Sequence, residues 1–333
     1  MRCGYTEDRK MIYTEENDRR YKEDLKARIK ELKKERKAVI IVHNYQRDEI
    51  QDIADITGDS LALSQAAVKT DARVIVFCGV RFMAESASIL NPDKSVILPV
   101  EEATCPMADM INAEKVRAIK KQYPRAAVVC YVNSSAAVKA ESDIGCTSGN
   151  AVEVVRSLEN RDVIFVPDKN LGRYVQTQVP EKRIILWEGF CPSHVRLQTE
   201  DVIKMKMVHP EAKFMAHPEC NPEVLKLADE VSSTAGMFRY VKKTDGREFI
   251  VGTEIGMLYK LRKDNPHKAF YMPTDHLICP SMKLITLGWV AHSLEMLMHQ
   301  VRVPEEIAER ARKSLERMLE VTGEKSGAAI SGN

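Results

Sequence analysis

Two hydrophobic periods alternate along the chain. Short continuous apolar runs, rich in β-branched residues, occur at residues 38–42, 73–77, 96–100, 126–130 and 162–166. Such runs suit strands buried on both faces of a parallel sheet. Between them the apolar spacing shifts to three and four. In the charged stretch 15–37, Tyr21, Leu25, Ile29 and Leu32 form one stripe, which predicts an amphipathic helix. Further helices are predicted over 48–56, from Ser60 after a break at Gly58-Asp59, over 81–90, 112–123 and 199–209, and over 304–321. The last carries Ile307, Ala311, Leu315 and Met318 on one face and is expected to cap the third unit or to lie beside the N-terminal helix. Residues 1–14 have no clear period, and the small, polar tail from Gly323 reads as a frayed end. Strand–helix alternation at these lengths predicts α/β units with parallel sheets.

The pattern repeats. An apolar run leads into Cys105-Pro106, Cys191-Pro192 and Cys279-Pro280, at intervals of 86 and 88 residues. Three more sets keep that register: His43, Tyr131 and His217; Tyr45, Asn133 and Glu219; Ser60, Ser148 and Thr234. Internal triplication follows. The expected organisation is an N-terminal segment (1–37), three α/β repeats (38–123, 124–209, 210–300) and a C-terminal helix and tail (301–333). Ligands of parallel α/β sheets bind beyond the carboxyl ends of strands, and all four sets lie at such ends. Three units facing one pseudo-threefold axis would bring these twelve residues into one central cavity.

Chemistry follows from the residue types. Proline suits the first turn of a helix, so each cysteine is expected at a helix mouth, where the dipole favours thiolate. Three such thiolates suggest one metal centre. Spacing leaves zinc and an iron–sulfur cluster equally open, because His194 and His276 lie three residues from Cys191 and Cys279 and would complete a Cys3-His site. Three cysteines alone would leave one iron of a cubane cluster without a protein ligand, and an open iron is a Lewis acid. Singly, Ser60, Ser148 and Thr234 would be helix caps; in register on one rim they also suit anion binding. Cys3, Cys78, Cys130, Cys146 and Cys220 read as buried small hydrophobes, and His209, His267, His292 and His299 as structural. Lys169, beside a glycine turn, suits an anion contact or a plain turn equally.

Composition narrows the class. The hydrophobic fraction of 44% is ample for packed cores. A net charge of +2 with interspersed signs gives no footprint for nucleic acid or a membrane surface. The eight cysteines contain no C-x-x-C pair, unlike a secreted disulfide framework. With no apolar run of spanning length and no signal-peptide core, the expected compartment is the cytoplasm.

From about Val39 to Leu297 the chain resembles the quinolinate synthase family, the A-type enzymes of de novo NAD biosynthesis. The resemblance rests on Val-His-Asn-Tyr-Gln, Gly-Asp-Ser, Cys-Gly-Val-Arg-Phe-Met-Ala-Glu, Ala-Thr-Cys-Pro-Met-Ala, Tyr-Val-Asn-Ser-Ser, Cys-Thr-Ser-Gly-Asn, Pro-Asp-Lys-Asn-Leu-Gly, Gly-Phe-Cys-Pro-Ser-His, Ala-His-Pro-Glu-Cys and Gly-Thr-Glu-Ile-Gly. It implies three pseudo-symmetric three-layer α/β/α domains around a [4Fe–4S] cluster held by Cys105, Cys191 and Cys279. It implies condensation of iminoaspartate with dihydroxyacetone phosphate to quinolinate, releasing phosphate and water. The implied substrate contacts are His43, Ser60, Tyr131, Asn133, Ser148, His217, Glu219 and Thr234. Direct handover of iminoaspartate from the enzyme that makes it stays open. Where some members carry C-x-x-C-x-x-C, this chain has Cys279 alone, so a disulfide switch is not expected there. The expected roles are Glu219 as general base, with Tyr45, His43 and His217 shuttling protons. Ser148 and Thr234 would hold carboxylate or phosphate, and Tyr131 and Asn133 would orient the chain. A zinc hydrolase or lyase, or a non-catalytic metal or metabolite sensor, are the competing classes.

Overall fold

A computed structural model describes residues 15–322; Cys3 and the tail lie outside them. The charged stripe forms α1 (Glu15–Arg36), which buries Ile29 and Leu32. The first sheet follows, with β1 (Ala38–His43), α2 (Asp48–Asp52), β2 (Ile56–Gly58), α3 (Ser60–Lys69), β3 (Val74–Cys78), α4 (Arg81–Leu90) and β4 (Ser95–Ile97). The same sentence is repeated as α5 (Ala113–Gln122), β5 (Ala127–Tyr131), α6 (Ala136–Ala140), β6 (Ile144–Cys146), α7 (Ala151–Ser157), β7 (Asp162–Val166), α8 (Lys169–Gln178) and β8 (Arg183–Leu186). The third copy is α9 (Thr199–Val208), β9 (Lys213–Ala216), α10 (Pro222–Leu225), β10 (Glu230–Val231), α11 (Thr234–Lys243), β11 (Glu248–Gly252), α12 (Met257–Asp264) and β12 (Ala269–Tyr271). Then come α13 (Leu287–Met296) and α14 (Glu305–Thr322).

The three four-stranded sheets share one order, β2-β1-β3-β4, β6-β5-β7-β8 and β10-β9-β11-β12. Every pairing in them is parallel. The central strands β3 and β5 are buried along their whole length, as continuous apolar runs in a covered parallel sheet should be. The fold is α/β, built of three repeated α/β/α layers.

Side chains that hold the frame together repeat as faithfully as the strands. Asp55, Asp143 and Asp229 accept the backbone N–H of Ile40, Val128 and Phe214, each at 2.8 Å. Each also pairs with a lysine of the preceding helix, Lys33, Lys120 or Lys206. Lys94, Lys182 and Lys268 donate to the last carbonyls of α3, α7 and α11, where a cation also meets the negative end of the helix. Recurrence therefore marks the frame as well as the site.

Four expectations are corrected. The helix predicted over 48–56 stops at Asp52, and Ile56–Gly58 becomes a short edge strand hydrogen-bonded to the end of β1. The Cys-Pro steps do not open long helices. Each is followed by a single 3-10 turn, Ala108–Met110, His194–Arg196 or Pro280–Lys283, too short for a sizeable dipole. The hydroxyl set does not cap. The caps are Asp59 and Ser233, one residue earlier, accepting from Ala62 and Gly236, while Ser148 lies before α7, whose N-cap is Asn150. Finally, α14 packs chiefly on α6, β6 and α7 and on α4, in the second and first units, rather than capping the third or lying along α1. It buries Ala308, Ala311, Leu315 and Met318 there.

Candidate active site

The first strand of each sheet carries its polar residues at or just past its carboxyl end: His43 closes β1, Tyr131 closes β5, and His217 follows β9. The backbone then turns, bringing Tyr45, Asn133 and Glu219 back over the sheet. All twelve residues of the four recurring sets line one cavity, a concave site with apolar wall and a few convergent polar groups, as small-molecule sites have. Val80, Phe82, Met83, Met107 and Met282 supply apolar wall.

Glu219 is the hub. Its Oε1 accepts from the Tyr131 hydroxyl at 2.7 Å and, more weakly, from Asn133 Nδ2 at 3.4 Å. Its Oε2 lies 2.8 Å from His194 Nδ1 and 3.7 Å from His217 Nδ1. Burial pushes the Glu219 carboxyl up, but the facing histidines and the Tyr131 hydroxyl outweigh it and bring it down to about 2. Burial pushes His43 and His217 the other way, each down to about 3. In both, a backbone N–H two residues on, of Tyr45 or Glu219, meets Nδ1 at 3.2 or 3.4 Å. Nδ1 is thereby the acceptor and Nε2 carries the proton. His217 Nε2 then donates to Ser148 Oγ at 3.1 Å, and Asn44 Nδ2 donates to Thr234 Oγ1 at 2.9 Å. Both hydroxyl oxygens are occupied as acceptors, so both hydroxyl protons are free for a ligand. Burial also raises Tyr45 and Tyr131 well above the usual phenol value.

The neutral histidines set an acid response. On unfolding they regain their ordinary value of 6.5, so below it the unfolded chain binds protons that the folded chain refuses. Stability is full above about pH 6.5 and is lost as pH falls toward about 3. Calorimetry at stepped pH should show this limb, and His217→Gln, which keeps a donor near Nε2 but cannot titrate, should flatten it. Superimposable limbs would contradict the assignment.

Cys105, Cys191 and Cys279 are unpaired thiols on the cavity wall. They lie close enough that Cys105 interacts electrostatically with both others. Burial pushes the Cys105 thiol up to about 12 and raises Cys191 and Cys279 too. The expected helix-mouth lowering is therefore overruled; backbone N–H groups lower each thiol by less than burial raises it. Three converging thiols that need a positive partner to ionise suit a thiophilic metal or cluster. Cys191, His194 and Glu219 also form a mixed donor group. Both ring nitrogens of His194 are engaged there, Nδ1 by Glu219 and Cys191 and Nε2 by Thr253 Oγ1 at 2.9 Å.

His276 is exposed beside Asp275, away from the cavity lining. Lys169 pairs with the exposed Glu188 and lies over the Phe190 ring, so it makes no cavity contact. Cys78, Cys130, Cys146 and Cys220 are buried, as read from sequence. His209 stacks on Tyr271. The sequence pattern did not show Thr253, bonded to Tyr45 at 2.6 Å, the buried Glu254, or that His194 links Glu219, Cys191 and Thr253.

Fold and site define an α/β enzyme of three like units, with three thiols and an acid–base network facing one buried cavity. The chain belongs to the quinolinate synthetase A protein family, whose profile matches residues 27–320. It is 58% identical over 298 residues to a quinolinate synthase of Methanosarcina barkeri (strain Fusaro / DSM 804), covering 90% of this chain and 98% of the relative. Proteins of the same name from Geobacter sp. (strain M21) and Caldicellulosiruptor saccharolyticus (strain ATCC 43494 / DSM 8903 / Tp8T 6331) are 55% and 52% identical, each over 90% of this chain and covering 98% and 99% of the relative. Among the described residues no helix is long and apolar enough to cross a membrane.

Proposed function

We propose that this chain condenses iminoaspartate with dihydroxyacetone phosphate to give quinolinate, phosphate and water, in the cytoplasm, as a step of NAD biosynthesis. The observation that carries the reading is the convergence of Cys105, Cys191 and Cys279, one from each repeat, with Glu219 and its donors in a single cavity. In this reading the units run over 38–123, 124–209 and 210–300.

The three thiols would hold a [4Fe–4S] cluster. Such a group, with one iron free of protein ligand, supplies a Lewis acid for oxygen ligands. The engagement of His194 by Glu219 and Thr253, and the distance of His276 from the cavity, favour three-cysteine ligation over a Cys3-His zinc site.

The remaining chemistry belongs to the chain. Ser148 and Thr234, their oxygens already occupied, direct O–H groups at substrate carboxylate or phosphate, with Ser60 on the same rim. His43 and His217 act as neutral Nε2–H donors, because Nδ1 is spent on the backbone. Tyr131 and Asn133 orient the substrate and hold Glu219. Glu219 takes the proton from the condensing carbon. With three donors on it the carboxylate is a weak base; substrate that draws Tyr131 or His194 away raises its basicity at the moment of use. Tyr45, bonded to Thr253, returns protons to leaving oxygen.

Anaerobic assay with the two substrates, alongside iron and sulfide analysis, tests the reading. The loaded protein should be brown and should form quinolinate. Air should bleach it and stop turnover, and anaerobic reconstitution should restore both. Full activity after prolonged aeration would favour zinc. A colourless protein inert to both substrates would favour a sensor.

A further inference from the structure

A fifth set keeps the repeat register. Val80, Asp168 and Glu254 stand 88 and 86 residues apart, each two positions beyond the third strand of its unit. Two of the three are carboxylates, and both are buried, Asp168 at 0% exposure and Glu254 at 1%. Each faces the backbone N–H of the cysteine of its own unit. Glu254 Oε1 accepts from the Cys279 N–H at 3.1 Å and lies 2.9 Å from the Lys283 ammonium, while Oε2 accepts from the Gly256 N–H at 2.7 Å. Asp168 is less saturated: Oδ1 accepts from Leu171 N at 2.8 Å, and Oδ2 has no close partner. Val80 has no carboxylate to offer Cys105.

Lys283 reaches further. Its ammonium also donates to the Tyr45 carbonyl, and the Lys283 carbonyl accepts from Arg47 Nε at 2.8 Å. One ion pair, buried on the Glu254 side and half-buried at Lys283, thus joins the turn that carries Cys279 to the loop that carries Tyr45, across two repeats. Buried pairs are a poor source of stability, since packed apolar residues do as well. A carboxylate that gathers three donors beside a ligand cysteine is better suited to orientation.

Resting on the cluster reading above, we propose that Glu254, with Lys283 as its counter-ion, is a positioning residue that fixes Cys279 toward the cluster and ties that ligand to the Tyr45 loop. Its negative charge beside the cysteine also opposes reduction of the cluster, and Lys283 offsets it.

The test uses the anaerobically reconstituted full chain. Glu254→Gln, nearly isosteric, leaves Lys283 uncompensated and should raise the midpoint reduction potential. Lys283→Met leaves Glu254 uncompensated and should lower it. Both should release iron to a chelator about tenfold faster or more than the parent. A pair serving stability alone would lower both thermal midpoints while potential and release rate stay parental, and that result overturns the inference. Should Glu254→Gln fail to fold, Lys283→Met decides by itself: a lowered potential supports, a parental one overturns. Failure of the parent to take up iron and sulfide overturns the cluster reading and this inference with it, whereas a loaded parent with unmoved variants overturns the inference alone.

Discussion

Alanine at Cys105, Cys191 or Cys279 is expected to abolish bound iron and turnover together, each substitution acting alone. Every repeat contributes one thiol to the cavity, so no second cysteine of the same unit stands in for a lost one. Cys78, Cys130, Cys146 and Cys220 are buried elsewhere. Cys78→Ala and Cys130→Ala are the matched controls. Both remove a fully buried sulfur, so both carry the small packing loss that any core truncation brings, yet iron and activity should stay at the parental level. Iron analysis and quinolinate formation on the five proteins check this. One of the three site variants retaining a full cluster and full activity sinks the assignment.

Glu219→Gln should fold, take up its cluster and bind substrate, and turn over at least about a hundredfold slower, the lower end of the usual loss of a general base. Glutamine still accepts from Tyr131. The amide turned toward His194 Nδ1 no longer accepts a hydrogen bond there, but Thr253 can donate or accept at Nε2, so His194 can exchange tautomers and keep its place. A buried charge is also removed, which lessens the desolvation burden. The thermal midpoint should therefore stay near the parent's while kcat falls. Parental kcat would take Glu219 out of the chemistry and move suspicion to Tyr45 or His217.

The sequence made the fold legible where a pattern was long enough to read. The buried strands were continuous apolar runs, and the Cys-Pro steps carried a register. The edge strands β2, β6 and β10 were not legible, because two or three residues hold no period and their pairing is decided by the neighbouring strand. In the site, a search for recurrence found all twelve residues on the cavity wall. It passed over Thr253, whose counterparts are Gly79 and Pro167, and His194, whose counterparts are Ala108 and Met282, entered only as a candidate zinc ligand. Groups present in one unit only are invisible to such a search. Glu254 escaped for a related reason, since Val80 breaks its set. Recurrence also gathers too much: Lys94, Lys182 and Lys268 repeat in register and serve to close helix ends. The thiol ionisation state was out of reach, because burial, which outweighs the local backbone there, is a property of the assembled body.

The aspartate–lysine clamps have a consequence for how such a body changes over time. Asp55, Asp143 and Asp229 grip the beginning of the first strand of each sheet, at Ile40, Val128 and Phe214. His43, Tyr131 and His217 stand at the other end of those same strands. Folding instructions and chemistry are thus housed at opposite poles of one short element. The rim side chains take no part in the clamp hydrogen bonds, so three copies can hold one frame while each rim drifts on its own. That separation is what lets an asymmetric site, with a carboxylate at Glu219 where the other units carry Tyr45 and Asn133, grow out of a symmetric body: evolvability is built into the length of a single strand.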